Sequence, residues 1–183
     1  MTRCFISIDI PEITRREIQK IQEQLPDFKG KLTEQENLHL TLKFLGEISD
    51  DRIGAVRKKL REIKSEKFSA EVDEVGVFSE DFIRIIWLHL KGTEELQKII
   101  DEKLTNLFSK EKRFMSHLTI ARVKNLRDKK YFLNELKKIK TPSVKFEVDN
   151  FLLKKSTLMP ESPVYEIIEE YRLKNINTRK SCL

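Results

Sequence analysis

The chain has 183 residues, of which 36% are charged and 39% hydrophobic, with a formal net charge of +6 and a pI near 9.2. No apolar run approaches a bilayer span and the start of the chain carries no secretory apolar core, so a helical membrane protein is excluded and the cytoplasm is the expected compartment. Cys4 and Cys182 stand at opposite ends, which fits neither a disulfide framework nor a zinc site, and the basic balance favours a polyanionic partner.

The first predicted element is a strand over Cys4–Ile10, stopped by Pro11. Pro11 suits the first turn of a helix whose apolar stripe is Ile18, Ile21 and Leu25, ended by Pro26 and Gly30. Leu38–Leu45 reads as a strand closed by Gly46. Ser49 caps the next helix, with Asp50 and Asp51 at its positive end and Ile53, Val56, Leu60 and Ile63 as its stripe. Phe68–Phe78 is extended, with Gly76 as a break or bulge. The pattern then restarts. Arg84–Leu90 is a strand, and Gly92 and Thr93 open a helix with Leu96, Ile99, Ile100, Leu104 and Leu107 on one face. A second apolar strand runs through His117–Val123, and Asp128 starts a shorter helix through Phe132, Leu136 and Ile139. Val144, Phe146 and Val148 alternate as a strand running towards Leu153. Val164–Leu173 fits a strand better than a helix, and Asn175–Leu183 reads as a flexible tail.

The order strand, helix, strand, helix, strand thus occurs twice, which is an internal duplication of architecture. The expected fold is α+β and bilobal: one domain over 1–174, with lobes of approximately 1–80 and 81–174 related by a pseudo-two-fold. Two antiparallel sheets flanked by helices would then enclose a central cleft.

The duplication places two of the three histidines in the same context. His39-Leu40-Thr41-Leu42 and, 78 positions later, His117-Leu118-Thr119-Ile120 both read His-x-Thr-x in a strand. Side chains alternate along a strand, so His39 and Thr41 share one face and His117 and Thr119 share one face. A single strand histidine is more often structural than catalytic, but two copies at equivalent places mark a site. Two imidazoles facing one cleft suit concerted proton transfer, one giving and one taking. Hydroxyls two residues on can donate to the oxygens of an anionic phosphorus centre. Neither motif contains a carboxylate and no third zinc ligand has suitable spacing, so neither a metal nor another cofactor is expected. Lys43 shares the parity of His39 and is expected in the cleft or at its rim. Arg122 has the wrong parity to join Thr119 unless the strand ends or bulges near Ala121. Phe44 and Trp87 are expected in the core, and His89, with no threonine two positions on, is expected to be structural.

At these residues the chain resembles the 2H phosphoesterase superfamily, whose mark is a pair of His-x-Thr/Ser-x motifs. It is most similar to the RNA 2′,3′-cyclic phosphodiesterase branch, also called 2′-5′ RNA ligase. The resemblance runs through Phe5–Pro11, HLTLKFLGE at 39–47, Gly76-Val77-Phe78, Ile85–Trp87, HLTIARVK at 117–124, Ser156-Thr157-Leu158 and Pro163-Val164-Tyr165. It implies opening of an RNA 2′,3′-cyclic phosphate to a 2′-phosphate without a metal, with 2′-5′ ligation of RNA ends as a possible side activity, on RNA ends such as tRNA fragments. A monomer is the default expectation, since nothing in the sequence points to oligomerisation. It assigns His39 as proton donor and His117 as proton acceptor, and sets Thr41, Thr119 and Arg122 on the phosphate. Ser116 stands where proline commonly precedes the second histidine, and Ser162 where glycine commonly precedes Pro163. Two other functions would use the same residues: a non-catalytic module that binds RNA ends, and a phosphodiesterase for small cyclic nucleotides.

Overall fold

A computed structural model describes residues 1–160 and 162–175. Apart from Asn175, the expected tail lies outside the described residues. The elements run β1 (Thr2–Asp9), α1 (Glu12–Gln22), β2 (Lys29–Leu32), a 3₁₀ turn (Gln35–Asn37), β3 (His39–Ile48), α2 (Asp50–Leu60), β4 (Phe68–Val77), β5 (Ile85–Lys91), α3 (Glu94–Lys103), β6 (His117–Asn125), α4 (Lys129–Leu136), β7 (Val144–Val148), β8 (Asn150–Thr157) and β9 (Val164–Arg172). The caps act as expected: Ser49 accepts from the Arg52 amide and Asp128 from the Tyr131 amide. Asp149 breaks the strand expected to run from Val144 towards Leu153 into β7 and β8. The short strand β2 has no apolar alternation, so periodicity gives no sign of it. Among the described residues no helix is long and apolar enough to cross a membrane.

All nine strands join one antiparallel sheet in the order β7-β4-β5-β6-β3-β1-β8-β9, with β2 paired to β6. The two expected sheets are therefore two four-stranded wings of one sheet, β7-β4-β5-β6 and β3-β1-β8-β9. Between them stands a single pairing, Leu40 with Leu118. The wings are not the two contiguous halves of the chain. The first repeat sends its last strand, β4, to pair with β5, and the second sends β8 to pair with β1. The helices cross over as well: α1 packs on β6 and β7, and α3 on β3. This exchange explains why no linker is visible between the repeats. The apolar faces of both repeats close one core that includes Ile6, Ile18, Leu40, Ile86, Ile100 and Leu118.

Both motif strands carry a β-bulge at the same place. On β3, Thr41 pairs with Ser7 and Lys43 with Ile6, so Leu42 is the extra residue. On β6, Thr119 pairs with Trp87 and Ala121 with Ile86, so Ile120 is the extra residue. A bulge reverses the facing of everything after it. The burial of the first nine residues of β3 and β6 is identical, with buried neighbours at 42–43 and 120–121.

This bulge overturns the expectation for Lys43. Its side chain turns away from the motif face and is 3% exposed. Its ammonium lies 2.5 Å from Asp101 of α3 and 2.9 Å from the Ser109 carbonyl. A buried ammonium needs such partners, and removing one strands the other charge. We expect Lys43→Met to destabilise the fold by about 3 kcal/mol in urea denaturation, and Lys43→Met combined with Asp101→Leu to recover most of that loss.

Candidate active site

The Leu40–Leu118 pairing at the seam arranges the site. Both leucines point into the core, fully buried. Their neighbours His39, Thr41, His117 and Thr119 point the other way and line one cleft. Antiparallel pairing about this point sets His39 beside Thr119 and Thr41 beside His117. The two histidines then occupy a diagonal, a placement that typically separates side-chain origins by roughly 7–8 Å. A tetrahedral phosphorus with its oxygens fits between imidazoles so placed.

Each imidazole is fixed in the same way. His39 Nδ1 lies 2.7 Å from the Asn37 carbonyl and His117 Nδ1 lies 2.8 Å from the Met115 carbonyl. A carbonyl only accepts, so Nδ1–H donates in both and Nε2 is left to exchange protons. In each copy the carbonyl belongs to the residue two before the histidine.

Beyond this the surroundings diverge. The His39 ring clusters with Phe5 and Tyr165, its centroid 5.0 Å from each, and those two rings are themselves 5.1 Å apart, edge to face. Asp9 is its cross-strand neighbour, and Asp9 holds the ammonium of Lys154 at 2.5 and 2.7 Å. Burial pushes the proton affinity of His39 down to about 4, Lys154 and Arg122 push the same way, and the Asn37 carbonyl and Asp9 oppose them. His117 has one aromatic neighbour, the edge of Phe78 at 4.8 Å. Ser116, just before it, is buried and holds the Thr93 hydroxyl at 2.6 Å, which ties the entry of β6 to the start of α3.

The bulges decide which other residues reach the cleft. Arg122 lies past the bulge and lines the cleft, as the sequence allowed only if β6 ended or bulged there. Phe44 is its counterpart, five residues after the first motif histidine. Contrary to the expectation of a core position, it is 67% exposed and lines the cleft. Trp87 is buried as expected, its ring lying on Gly76, where a Cβ would come within 2.4 Å. His89 stays outside the cleft, with Nδ1 2.6 Å from Asp73.

Several lining residues have no signal in the motifs. Tyr165 and Pro163 come from β9 and the turn before it, and Lys31, Glu34 and Asn37 come from β2 and the 3₁₀ turn. Glu34 is paired with Lys31, which holds its carboxyl below the usual range. Tyr165 is pushed up, chiefly by burial. Among the described residues no three His, Cys, Asp or Glu side chains converge as metal ligands would.

Residues 8–87 and 90–165 match the model of the family described as LigT like Phosphoesterase. The chain belongs to this family. Among LigT-like phosphoesterases it is 39% identical to a Methanocaldococcus jannaschii protein named RNA 2′,3′-cyclic phosphodiesterase, over 92% of this chain and 99% of that one. An Archaeoglobus fulgidus protein of the same name is 33% identical, over 90% of this chain and 96% of its own. The fold matches the crystal structure of Escherichia coli LigT in its apo form with a TM-score of 0.76 at 23% identity, covering 95% of this chain and 98% of that one.

The depressed proton affinity of His39 links to stability. Its unfolded value is near 6.5 and its folded value about 4, so the unfolded chain binds more protons in that interval. Its contribution is complete above pH 6.5 and is lost as the pH falls towards 4. We expect wild type to lose roughly 1.4 kcal/mol per pH unit more than His39→Gln across this window, measured by urea denaturation.

Proposed function

We propose that this LigT-like phosphoesterase opens the 2′,3′-cyclic phosphate end of RNA to a 2′-phosphomonoester by paired-histidine acid–base catalysis without a metal. The observation that carries the reading is the seam, which sets two His/Thr pairs around one point with both Nε2 atoms free for proton transfer. The relatives' names give the substrate and bond class, and the basic surface suits a polyanion.

His117 Nε2 takes a proton from water, and the water oxygen forms a bond to phosphorus. The P–O3′ bond breaks on the opposite side, and His39 Nε2 gives its proton to the departing O3′. The products are a 2′-phosphomonoester and a free 3′-hydroxyl. In-line displacement needs the base and the acid on opposite sides of phosphorus, and a two-fold pair of histidines supplies that. The choice of His39 as donor rests on the family resemblance. The Thr41 and Thr119 hydroxyls donate to the non-bridging oxygens, where charge accumulates, and Arg122 adds a cation to them. The exposed ring of Phe44 offers a stacking face to a base. Lys43, held in its buried pair with Asp101, has no part in this reading.

His39 is neutral in the free protein at pH 7 and takes up its proton when a phosphate anion displaces water from the cleft. An RNA 5′-hydroxyl in place of water would turn the same machinery to 2′-5′ ligation, but dilute aqueous solution favours hydrolysis. One chain furnishes the whole site, which suits a monomer, and the expected setting is the cytoplasm.

The test is a short RNA ending in a 2′,3′-cyclic phosphate, incubated with the protein in EDTA. We expect the 2′-phosphate as product. His39→Ala and His117→Ala should each lose roughly 10²–10⁴-fold in kcat, and Thr41→Val and Thr119→Val about 10²-fold. RNA bound without turnover would replace this reading with an end-binding module. Turnover of cyclic mononucleotides alone would replace the substrate.

A further inference from the structure

The two motif histidines are equivalent in sequence, yet only one has beside it, among the described residues, a buried lysine paired with a half-exposed carboxylate. Lys154 of β8 stands across from Phe5, whose ring lies on His39, and its side chain is 7% exposed. It runs along the strands to Asp9, the residue paired across from His39. The two Asp9 oxygens lie 2.5 and 2.7 Å from the ammonium. At the equivalent place beside His117 the second repeat has His89, bonded to Asp73.

Burying the Lys154 ammonium has a desolvation cost that a half-exposed carboxylate offsets only in part, and an apolar side chain in the same place would have none. A cation that offsets the Asp9 carboxylate facing His39 accounts for it. We propose that Lys154, held on Asp9, is a positioning residue that keeps the Asp9 carboxylate from charging His39 before a phosphate anion enters the cleft. The inference rests on the reading of His39 as the acid.

The charged and titratable groups around His39 are few. Asp9 comes from β1, Lys154 from β8 and Arg122 from β6, while Tyr165 faces it from β9 with Glu34 acting on its hydroxyl. Two cations and one anion therefore act directly on the imidazole before substrate arrives. Arg122 lines the open cleft and its charge is answered by the substrate's phosphate. Lys154 stays with Asp9 throughout. Removing the lysine leaves the Asp9 carboxylate facing His39 alone, which would charge the imidazole in the empty site. Removing both leaves only burial and Arg122.

The chain has three histidines, so each imidazole can be assigned by single substitutions. The experiment follows the His39 ring by NMR titration in wild type, Lys154→Met, Lys154→Arg and the double variant Asp9→Asn/Lys154→Met, beside the pH dependence of kcat/KM on a cyclic-phosphate-ended RNA. We expect Lys154→Met to raise the His39 midpoint by about one pH unit, and the double variant to return it to within a few tenths of wild type. Lys154→Arg keeps the charge and should leave it in place. The acid limb of kcat/KM should move with the ring in every variant. A midpoint unmoved by Lys154→Met, or one the double variant fails to restore, overturns the proposal. If Lys154→Met does not fold, Lys154→Gln takes its place in the same series. A ring that moves while the rate limb stays put removes His39 as the acid instead, and so separates failure of the underlying reading from failure of the pair.

Discussion

The site hangs on one backbone contact, the pairing of Leu40 with Leu118. Each four-stranded wing has its own ladder of hydrogen bonds, but at the cleft the two meet through a single residue pair, the other backbone bridge being the distant one of Glu66 with Lys174. Two fully buried leucines anchor that point from the core side. The four polar side chains that flank them have no other face to occupy, because a strand offers only two. Burying Leu40 and Leu118 is therefore the same act as presenting His39, Thr41, His117 and Thr119 to one cleft. The exchange of β4 and β8 ties the repeats together, since neither repeat can leave without unpairing a strand of the other.

The bulges supply the second constraint. Without them, Lys43 would face the cleft, and Arg122 and Phe44 would lie in the core. With them, the core receives Leu42 and Lys43 on one strand and Ile120 and Ala121 on the other. The repeats then use the equivalent positions differently. Where β6 has the small Ala121 facing the helices, β3 has Lys43, and α3 must provide Asp101 to meet it. Where β6 sends a guanidinium into the cleft at Arg122, β3 sends the flat ring of Phe44. One geometric irregularity, present in both repeats, thus brings both a cation and an exposed aromatic ring to the cleft.

Much of this was legible in the sequence. The motif pair, the repeat, the caps at Ser49 and Asp128 and the faces of residues 39–41 and 117–119 come from local periodicity, which reports short-range geometry well. The facing of residues past the bulge was not legible, because a bulge is set by the partner strand rather than by the residues that form it. Parity counted from His39 puts Lys43 in the cleft and Phe44 in the core, and one extra residue at Leu42 reverses both. One sign was available. Arg122 could serve the site only if β6 ended or bulged near Ala121, and the repeat would then have imposed the same irregularity on β3. The division into contiguous lobes failed for a similar reason, since strand exchange leaves each repeat's local pattern unchanged. Tyr165 stands outside the His-x-Thr-x motifs, in a segment that carries the family resemblance, and Asn37 has no signal at all. They reach the cleft through β9 and the 3₁₀ turn, a placement that long-range pairing sets.

Two histidines with the same neighbours in sequence and the same Nδ1 bond to a carbonyl two residues back would have the same chemistry if nothing else touched them. Paired acid–base catalysis needs them to differ, because one must give a proton while the other takes one. The difference cannot come from the motifs, which are copies. It comes from strands that have no counterpart role in the other repeat. β8 delivers Lys154 and β9 delivers Tyr165 to the His39 side, while β4 leads to Phe78 on the His117 side. Duplication gives the two-fold arrangement that in-line displacement at phosphorus requires, and the outer strands of each wing break its electrostatic symmetry. The histidine pair is thus built by one part of the fold and differentiated by another, and in the proposed mechanism a residue two strands from β3 acts on the protonation of His39 alone.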